Sequence, residues 1–185
     1  MSAPLRYTCV PSIAEFERLD AQISDDGIQA MAIRPSFAVL LPTTAYVLRL
    51  TPPPARKLIE NGVPVALGSD YNPNAHCMSM PHVMNLACVM MRMTMNEALA
   101  AATINSAGTT LPRLGRYTAS HMVMASLHCA ASLGKSATHG SLEPGKFADM
   151  VVIDAPLWEH VIYQLCDPPI AYVIKKGAVV YQHSA

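Results

Sequence analysis

Two short apolar runs separated by one helix-like stretch constrain the fold of this 185-residue chain more than any other feature. The runs are Ser36–Leu41 and Val63–Leu67. Between them, Thr51 is predicted to cap a helix that has Pro52 at its first position and Gly62 just past its end, where these residue types are favoured. Two apolar strands joined by one helix are typical of a parallel sheet that is buried on both faces. We therefore predict an α/β fold.

A polar segment follows the second apolar run. In open parallel sheets the ligand site lies at the carboxyl ends of the strands, and Asp70 falls at that position. A carboxylate is costly to place there unless a cation or hydrogen-bond donors face it. A metal ligand and a helix-capping loop aspartate both fit this spacing, so both readings stay open. Tyr71-Asn-Pro-Asn74 is a polar turn able to present amide groups to a ligand, although Asn-Pro also marks ordinary turns.

Three further helices are predicted in the first 107 residues. Ser24, followed by two acidic residues, is typical of a helix start, and that helix should run to about residue 32. The segment His82–Met91 is apolar on nearly all sides, which indicates a buried helix. Thr94 and Glu97 have the spacing of a capping box, which predicts a helix from there to about Ser106.

From Gly140 onward the pattern changes to glycine turns and short β-rich runs, which predict a small antiparallel sheet. The predicted strands are Met150–Asp154, Ile170–Ile174 and Ala178–Tyr181. The segment Gly108–Ala131 fits neither block and has weak helical character from Ala119 onward.

Composition excludes several classes of function. Only 14% of residues are charged, and 13 basic residues balance 13 acidic ones, so no net field attracts nucleic acid or an anionic membrane. No stretch approaches the roughly 18 apolar residues of a membrane span, and the N-terminus has no continuous apolar signal segment, so we expect a cytoplasmic protein. A hydrophobic content of 51% with twelve methionines indicates surfaces that are covered by oligomerisation or by a larger fold.

Cysteine and histidine spacing indicates no independent site. The five cysteines are scattered without a C-x-x-C pair, which favours reduced thiols. The seven histidines include no H-x-H pair and no H-E-x-x-H run. His121 and His128 could share a helix face beside Cys129, but two histidines without a carboxylate make a poor metal site. We interpret His76 and His82 as structural. Motifs of serine hydrolases, nucleotide triphosphatases and dinucleotide enzymes are absent from the sequence.

The chain resembles imidazolonepropionases of animal type over about residues 24–107 and 132–181. The motifs that carry the resemblance are Ser24-Asp-Asp-Gly-Ile28, Leu40-Leu-Pro-Thr-Thr-Ala-Tyr46, Val65-Ala-Leu-Gly-Ser-Asp-Tyr-Asn-Pro-Asn74, Ser79-Met-Pro81, Asn85-Leu-Ala-Cys88, Arg92-Met93, Glu97-Ala-Leu-Ala-Ala-Ala-Thr-Ile-Asn105, Gly140-Ser-Leu-Glu143 and Trp158-Glu-His160. The run Pro144-Gly-Lys-Phe-Ala-Asp149 resembles amidohydrolases in general.

This resemblance implies a metal-dependent (β/α)8 barrel with a small β-sandwich domain beside it. It implies hydrolysis of the ring amide of 4-imidazolone-5-propanoate to N-formimidoyl-L-glutamate, a step of histidine degradation, with zinc or iron as cofactor. Asp70 matches the family's metal-ligating aspartate at the end of the last barrel strand, which can also shuttle a proton. A bound metal acidifies its water, and an adjacent carboxylate can accept the proton. Asn72 and Asn74 match the turn that contacts the substrate.

The chain also departs from the family pattern. Residues 1–22 do not resemble the family, residues 23–107 match the last strand-helix units of the barrel, residues 108–131 interrupt the match, and residues 132–185 return to the small β domain. The family's H-x-H pair, its further ligands and the groups that hold the propionate have no counterpart in this sequence. We therefore expect a C-terminal fragment of the barrel, inactive by itself.

Two classes of function remain open at this point. The first is an imidazolonepropionase-type hydrolase acting on a small molecule. The second is a non-catalytic fragment that binds a partner, such as the full-length enzyme or another copy of itself. We also expect the strands near 37–41 and 65–68 to pair in parallel with Asp70 at their carboxyl end. Residues 108–131 should lack stable packing against the segments that resemble the family.

Overall fold

The computed structural model describes residues 23–33, 36–73, 75–103, 121–124, 135, 137–141 and 143–183. Six helices and six strands lie in these ranges. In chain order they are α1 (Asp25–Ile33), β1 (Ala38–Leu40), α2 (Pro42–Val47), α3 (Ala55–Glu60), β2 (Val65–Leu67), α4 (Met80–Met91), α5 (Met95–Ala102), β3 (His121–Met124), β4 (Met150–Asp154), α6 (His160–Tyr163), β5 (Ile170–Lys175) and β6 (Ala178–Gln182).

Strands β1 and β2 pair in parallel, which confirms the central prediction for this part of the chain. Their register places Ala38 opposite Val65 and Leu40 opposite Leu67. The expected burial of both faces is wrong for β1, because Val39 is 40% exposed while its two neighbours in the strand are buried. One face of β1 therefore packs on the helices, and the opposite face is open among the described residues.

Helix boundaries follow the local capping chemistry. The Ser24 side chain accepts a hydrogen bond from the Gly27 backbone N–H at 3.2 Å, as expected of a helix cap. The predicted capping box is present, since Thr94 and Glu97 satisfy each other's backbone N–H groups. Helix α4 begins two residues before the predicted start, with Ser79 as its cap, and α5 ends at Ala102 rather than near residue 106.

The start of α3 was predicted wrongly. Three consecutive prolines, Pro52–Pro54, follow Thr51, and the helix begins only at Ala55. A residue that precedes proline is disfavoured in the helical region, so the helix cannot form until the last proline has passed. Gly62 lies just beyond the helix with a φ of +75°, as predicted for a residue that follows a helix end.

The C-terminal half forms a four-stranded antiparallel sheet in the order β3, β4, β5, β6. The three predicted strands are confirmed. Strand β3 corrects two expectations about residues 108–131, because His121–Met124 is extended rather than helical and pairs along β4 from Asp154 to Val151. The inserted segment thus contributes an outer strand of this sheet. Its remaining residues lie outside the described part of the chain.

The run Pro144-Gly-Lys-Phe-Ala-Asp149 fixes the turn between β5 and β6. The Asp149 carboxylate accepts a hydrogen bond from the backbone N–H of Lys176 at 2.7 Å and forms an ion pair with the side chain of Lys175. The hydrogen bonds that the Lys175 side chain and the Lys176 N–H donate to Asp149 hold the pKa of this carboxyl group below its usual range. Gly177 has a φ of +81°, and its N–H donates to the Ala148 carbonyl. This run therefore has an architectural role.

One hydrophobic core joins the parallel pair, the helices and the antiparallel sheet. Leu67 of β2 and Met84 of α4 belong to the same buried cluster as Ile153 of β4 and Ile162 of α6. The side-chain amide of Asn85 on α4 also donates to the carbonyl of Ile162 at 3.2 Å. The two halves therefore pack against each other directly.

An ion pair between Arg56 of α3 and Glu97 of α5 ties two helices together. Arg56 donates to both carboxylate oxygens of Glu97 and to the Arg92 carbonyl. The hydrogen bond from Arg56, assisted by the N–H and hydroxyl of Thr94, lowers the pKa of Glu97 to about 2. The folded state therefore favours the ionised carboxylate of Glu97.

This lowered pKa predicts a pH-dependent contribution to stability. An unfolded Glu97 titrates near its ordinary value of 4.5, so its contribution is fully present above that pH. It should be lost as the pH falls from about 4.5 towards about 2. Because both side chains are partly exposed, we expect about 1–2 kcal/mol after solvent screening.

Urea unfolding at pH 7 and at pH 3, compared between the wild type and Glu97→Gln, measures this contribution. The difference in unfolding free energy between the two proteins should shrink at the lower pH. Glu60→Gln is the matched control, because Glu60 lies on the same helix as Arg56 and acts on it only through space, whereas Glu97 is its ion-pair partner. The prediction would be contradicted if the unfolding free energy of the wild type exceeded that of Glu97→Gln by the same amount at both pH values.

Candidate active site

Asp70 lies at the carboxyl ends of the two parallel strands, where the sequence predicted it. Leu40 and Leu67 are the last paired residues, and Asp70 follows three residues after Leu67. The side chain is half-buried, and the residue has a φ of +48°. That left-handed conformation is uncommon for residues other than glycine, although aspartate and asparagine tolerate it best. The chain thus turns sharply at this carboxylate.

Gly68 allows β1 and β2 to stay close where the polar segment begins. Its N–H donates to the Leu40 carbonyl at 3.0 Å, which extends the ladder by one bond. A Cβ atom at this position would meet the Leu41 side chain at 3.0 Å, closer than nearly all real contacts of this kind. A side chain at position 68 would therefore press on the residues that lead into α2.

Thr44 of α2 contacts Asp70 directly. The Thr44 hydroxyl donates to Oδ2 of Asp70 at 2.5 Å, joining two residues that lie 26 positions apart. Both residues follow strands of the parallel pair, so the register of β1 and β2 brings them to the same rim. The sequence prediction missed Thr44, although parallel pairing with Asp70 at the carboxyl end was the signal that could have identified it.

Asn72 orders the loop that follows Asp70. Its side-chain amide donates to the Asp70 backbone carbonyl at 2.6 Å, and its side-chain oxygen accepts from the Ala75 N–H at 3.2 Å. The backbones of Asn72 and Ala75 also bridge each other. Tyr71 and His76 bring their rings within 5.3 Å, which supports a structural role for His76. Asn74, the other predicted substrate-contacting residue, lies outside the described residues.

The described residues do not supply the donor set of a catalytic metal. Such sites ordinarily have three protein ligands and an open position. Across the described ranges, no group of three or more histidine, cysteine, aspartate or glutamate side chains is placed to hold a metal ion. Asp70 brings one carboxylate, and one of its oxygens already accepts from Thr44. These residues do not fit a metal by themselves.

The second candidate cluster, built on His121 and His128, does not form as expected. His121 begins a strand, so a helix face shared with His128 is wrong, and His128 and Cys129 lie outside the described residues. Cys77, Cys88 and Cys166 are free thiols. Cys88 is half-buried, and burial raises the pKa of its thiol. No disulfide joins these three cysteines to one another, and their reduced state stays a prediction.

An open cleft of about 810 Å³ lies at the antiparallel sheet. It is lined by Asp154 at the end of β4, by the segment 164–169, by the first residues of β5 and by His183. None of the residues of the Asp70 loop line it.

No helix in the described part of the chain is long and apolar enough to cross a membrane.

The amidohydrolase family profile matches residues 14–181. The chain therefore belongs to the amidohydrolase family. Within that family it is similar to proteins named probable imidazolonepropionase. It is 57% identical over 163 residues to the one from Dictyostelium discoideum, 54% over 163 residues to the one from Mus musculus, and 53% over 162 residues to the one from Nematostella vectensis.

These alignments cover 86–88% of this chain but only 32–33% of each relative. The chain thus spans about a third of the length of the curated relatives it matches.

Solved structures with the same fold include the guanine deaminase of E. coli, with a TM-score of 0.64. The two sequences are 19% identical, and the match covers 88% of this chain and 37% of that one. A zinc-bound adenosine deaminase from Xanthomonas campestris has a TM-score of 0.63 and a sequence identity of 22%. That match covers 85% of this chain and 34% of the deaminase. The architecture is that of part of the amidohydrolase barrel superfamily.

Proposed function

We propose that this chain contributes the aspartate and the substrate loop of an imidazolonepropionase-type hydrolase. The reaction is the hydrolytic opening of 4-imidazolone-5-propanoate to N-formimidoyl-L-glutamate in histidine degradation. The observation that carries the proposal is Asp70 at the rim of the parallel strands, held by Thr44 and followed by an ordered polar loop. The similarity to probable imidazolonepropionases over most of this chain supports the choice of substrate.

In this proposal, Asp70 accepts the proton of the attacking water and returns it to the leaving ring nitrogen. A carboxylate suits the task because its oxygen can exchange a proton with a group in hydrogen-bond reach. Asn72 and Asn74 contact the substrate in the loop beyond it. The contacts of Asn72 with the Asp70 carbonyl and with Ala75 support this role, because they order the loop beside the carboxylate.

Zinc or iron is the cofactor that we propose for the complete site, with Asp70 as the ligand that this chain would supply. The remaining ligands must come from residues other than those described, since these do not form a metal-binding group. When bound, the metal would act as a Lewis acid that activates the attacking water.

We further propose that the antiparallel sheet is part of a small β-sandwich domain, and that the protein acts in the cytoplasm. The free thiols support that location.

Reconstitution tests the proposed function. The full chain is mixed with the part of the mouse relative that lies outside the aligned region, and ring opening is assayed with added Zn²⁺ or Fe²⁺. We expect turnover from the mixture and none from either component, because a single carboxylate in reach of solvent cannot hold a catalytic ion in one geometry. A mixture that forms a complex without ring opening would overturn the proposal. Turnover by this chain without its complement would support the reaction and contradict the expectation that other residues must supply the remaining ligands.

The second candidate function is binding without catalysis, to the full-length enzyme or to a second copy of this chain. The open face at Val39 and the exposed Met78 and Val89 favour it, because a partner could bury these apolar side chains. This candidate predicts a stable complex that stays inactive in the reconstitution assay. The same mixture therefore separates the two functions.

A further inference from the structure

We propose that Thr44 is a positioning residue for Asp70, and that it determines which carboxylate oxygen is available for proton transfer. The inference rests on the function proposed above, because it assigns a task to a residue beside the proposed proton acceptor. It concerns a hydroxyl of α2 that the sequence did not single out. Thr44 is not a catalytic residue, since it would act only through Asp70.

The geometry of the contact carries the proposal. Thr44 donates to Oδ2 of Asp70 at 2.5 Å. Among the described residues, none donates a hydrogen bond to Oδ1, so the two oxygens are not equivalent. Hydrogen bonds between a hydroxyl and a carboxylate are short and roughly twice as strong as neutral ones. The bond therefore fixes the rotation of the Asp70 side chain and leaves Oδ1 as the oxygen that is open to a water molecule or to a cation.

The backbone of Asp70 needs this anchor. Its φ of +48° places it in a region that costs a non-glycine residue free energy unless surrounding contacts hold it there. Two contacts do so. The Thr44 hydroxyl holds the carboxylate, and the Asn72 amide holds the backbone carbonyl at 2.6 Å. Loss of the Thr44 bond should therefore loosen the loop through Asn72 and Ala75.

The neighbouring residue provides a matched control. Thr43 is 4% exposed, and its hydroxyl is buried with no hydrogen-bond partner in the described structure. Thr43→Val and Thr44→Val remove the same group at adjacent positions of one helix. Only the second substitution removes a bond to Asp70, so a difference between them cannot come from a general effect of valine on α2.

Amide hydrogen exchange of the full chain tests the inference without any catalytic assay. The Asn72 and Ala75 N–H groups donate to each other's carbonyls across the loop, so their protection reports its order. We expect Thr44→Val to lower protection at both amides about tenfold, the size of effect expected for one lost charged hydrogen bond. Thr44→Ser should retain protection within about threefold, and Thr43→Val should not reduce it.

The reconstituted enzyme adds a second readout. There, Thr44→Val should lower kcat about tenfold with KM nearly unchanged, and Thr44→Ser should restore most of kcat. Unchanged exchange in Thr44→Val would overturn the inference whether or not the mixture is active. A normal kcat, or a loss that Thr44→Ser does not rescue, would also overturn it. An inactive mixture whose wild-type chain shows the expected exchange pattern would instead refute the proposed function and confine Thr44 to ordering the loop.

Discussion

Asp70→Asn should reduce kcat of the reconstituted enzyme by about a thousandfold, which is within the range that general acid–base groups supply. Asparagine keeps the shape of the side chain and tolerates the positive φ at this position. Its amide oxygen can still accept from Thr44. It cannot take a proton from water at neutral pH, so the chemical step should fail while the fold and the assembly persist.

The measurement combines turnover with two checks on integrity. Far-ultraviolet circular dichroism should be unchanged, and the variant should bind its complement as tightly as the wild type does. Asp154→Asn is the matched control, because it makes the same substitution at another strand end, in the β4 carboxylate. That control should retain activity. A kcat for Asp70→Asn within tenfold of the wild type would remove Asp70 from the proton-transfer role.

Ile153→Ala should have the largest effect on stability. Ile153 is 1% exposed and packs in the cluster that joins β4 to α4 and α6. Removing three of its carbon atoms creates a cavity where several elements meet, and such substitutions cost about 2–5 kcal/mol. That loss is a large fraction of the roughly 5–15 kcal/mol that stabilises an ordinary domain.

Urea unfolding followed by two signals checks this prediction. The helices dominate circular dichroism, and Trp158, the only tryptophan, is partly buried against the same core. Both signals should shift to lower urea together, because the sheet and the helices share one core. Val179→Ala on β6, where Val179 is 57% exposed, should change stability by less than about 0.5 kcal/mol. A shift of the tryptophan signal alone would mean that the two halves unfold independently.

Local pattern was sufficient for much of this fold. The apolar runs, the capping box and the glycine turns each have a short-range physical cause, and the structure places strands, helix starts and turns close to where those causes act. The parallel direction could be anticipated because a helical connection links β1 and β2, although the structure divides that connection into two helices, α2 and α3. The same patterns were enough to predict that Asp70 lies at the carboxyl ends of β1 and β2.

Features that depend on distant contacts could not be anticipated in the same way. Residues His121–Met124 have no strand pattern of their own and become extended because β4 offers them an edge for pairing. The Thr44 hydroxyl is an ordinary helix residue until the fold brings Asp70 to it. The described residues bring one carboxylate and one loop to the site, and neither specifies where further ligands would come from.

The architectural role of Asp149 limits what its surrounding motif reveals about function. Its carboxylate is occupied by the Lys175 side chain and the Lys176 N–H, so this motif interacts with its own hairpin rather than with the Asp70 loop. In this chain the motif therefore stabilises the turn between β5 and β6, a task that does not depend on what binds at the Asp70 rim. A match to this motif alone therefore gives information about the scaffold. The substrate has to be inferred from the residues at the strand ends.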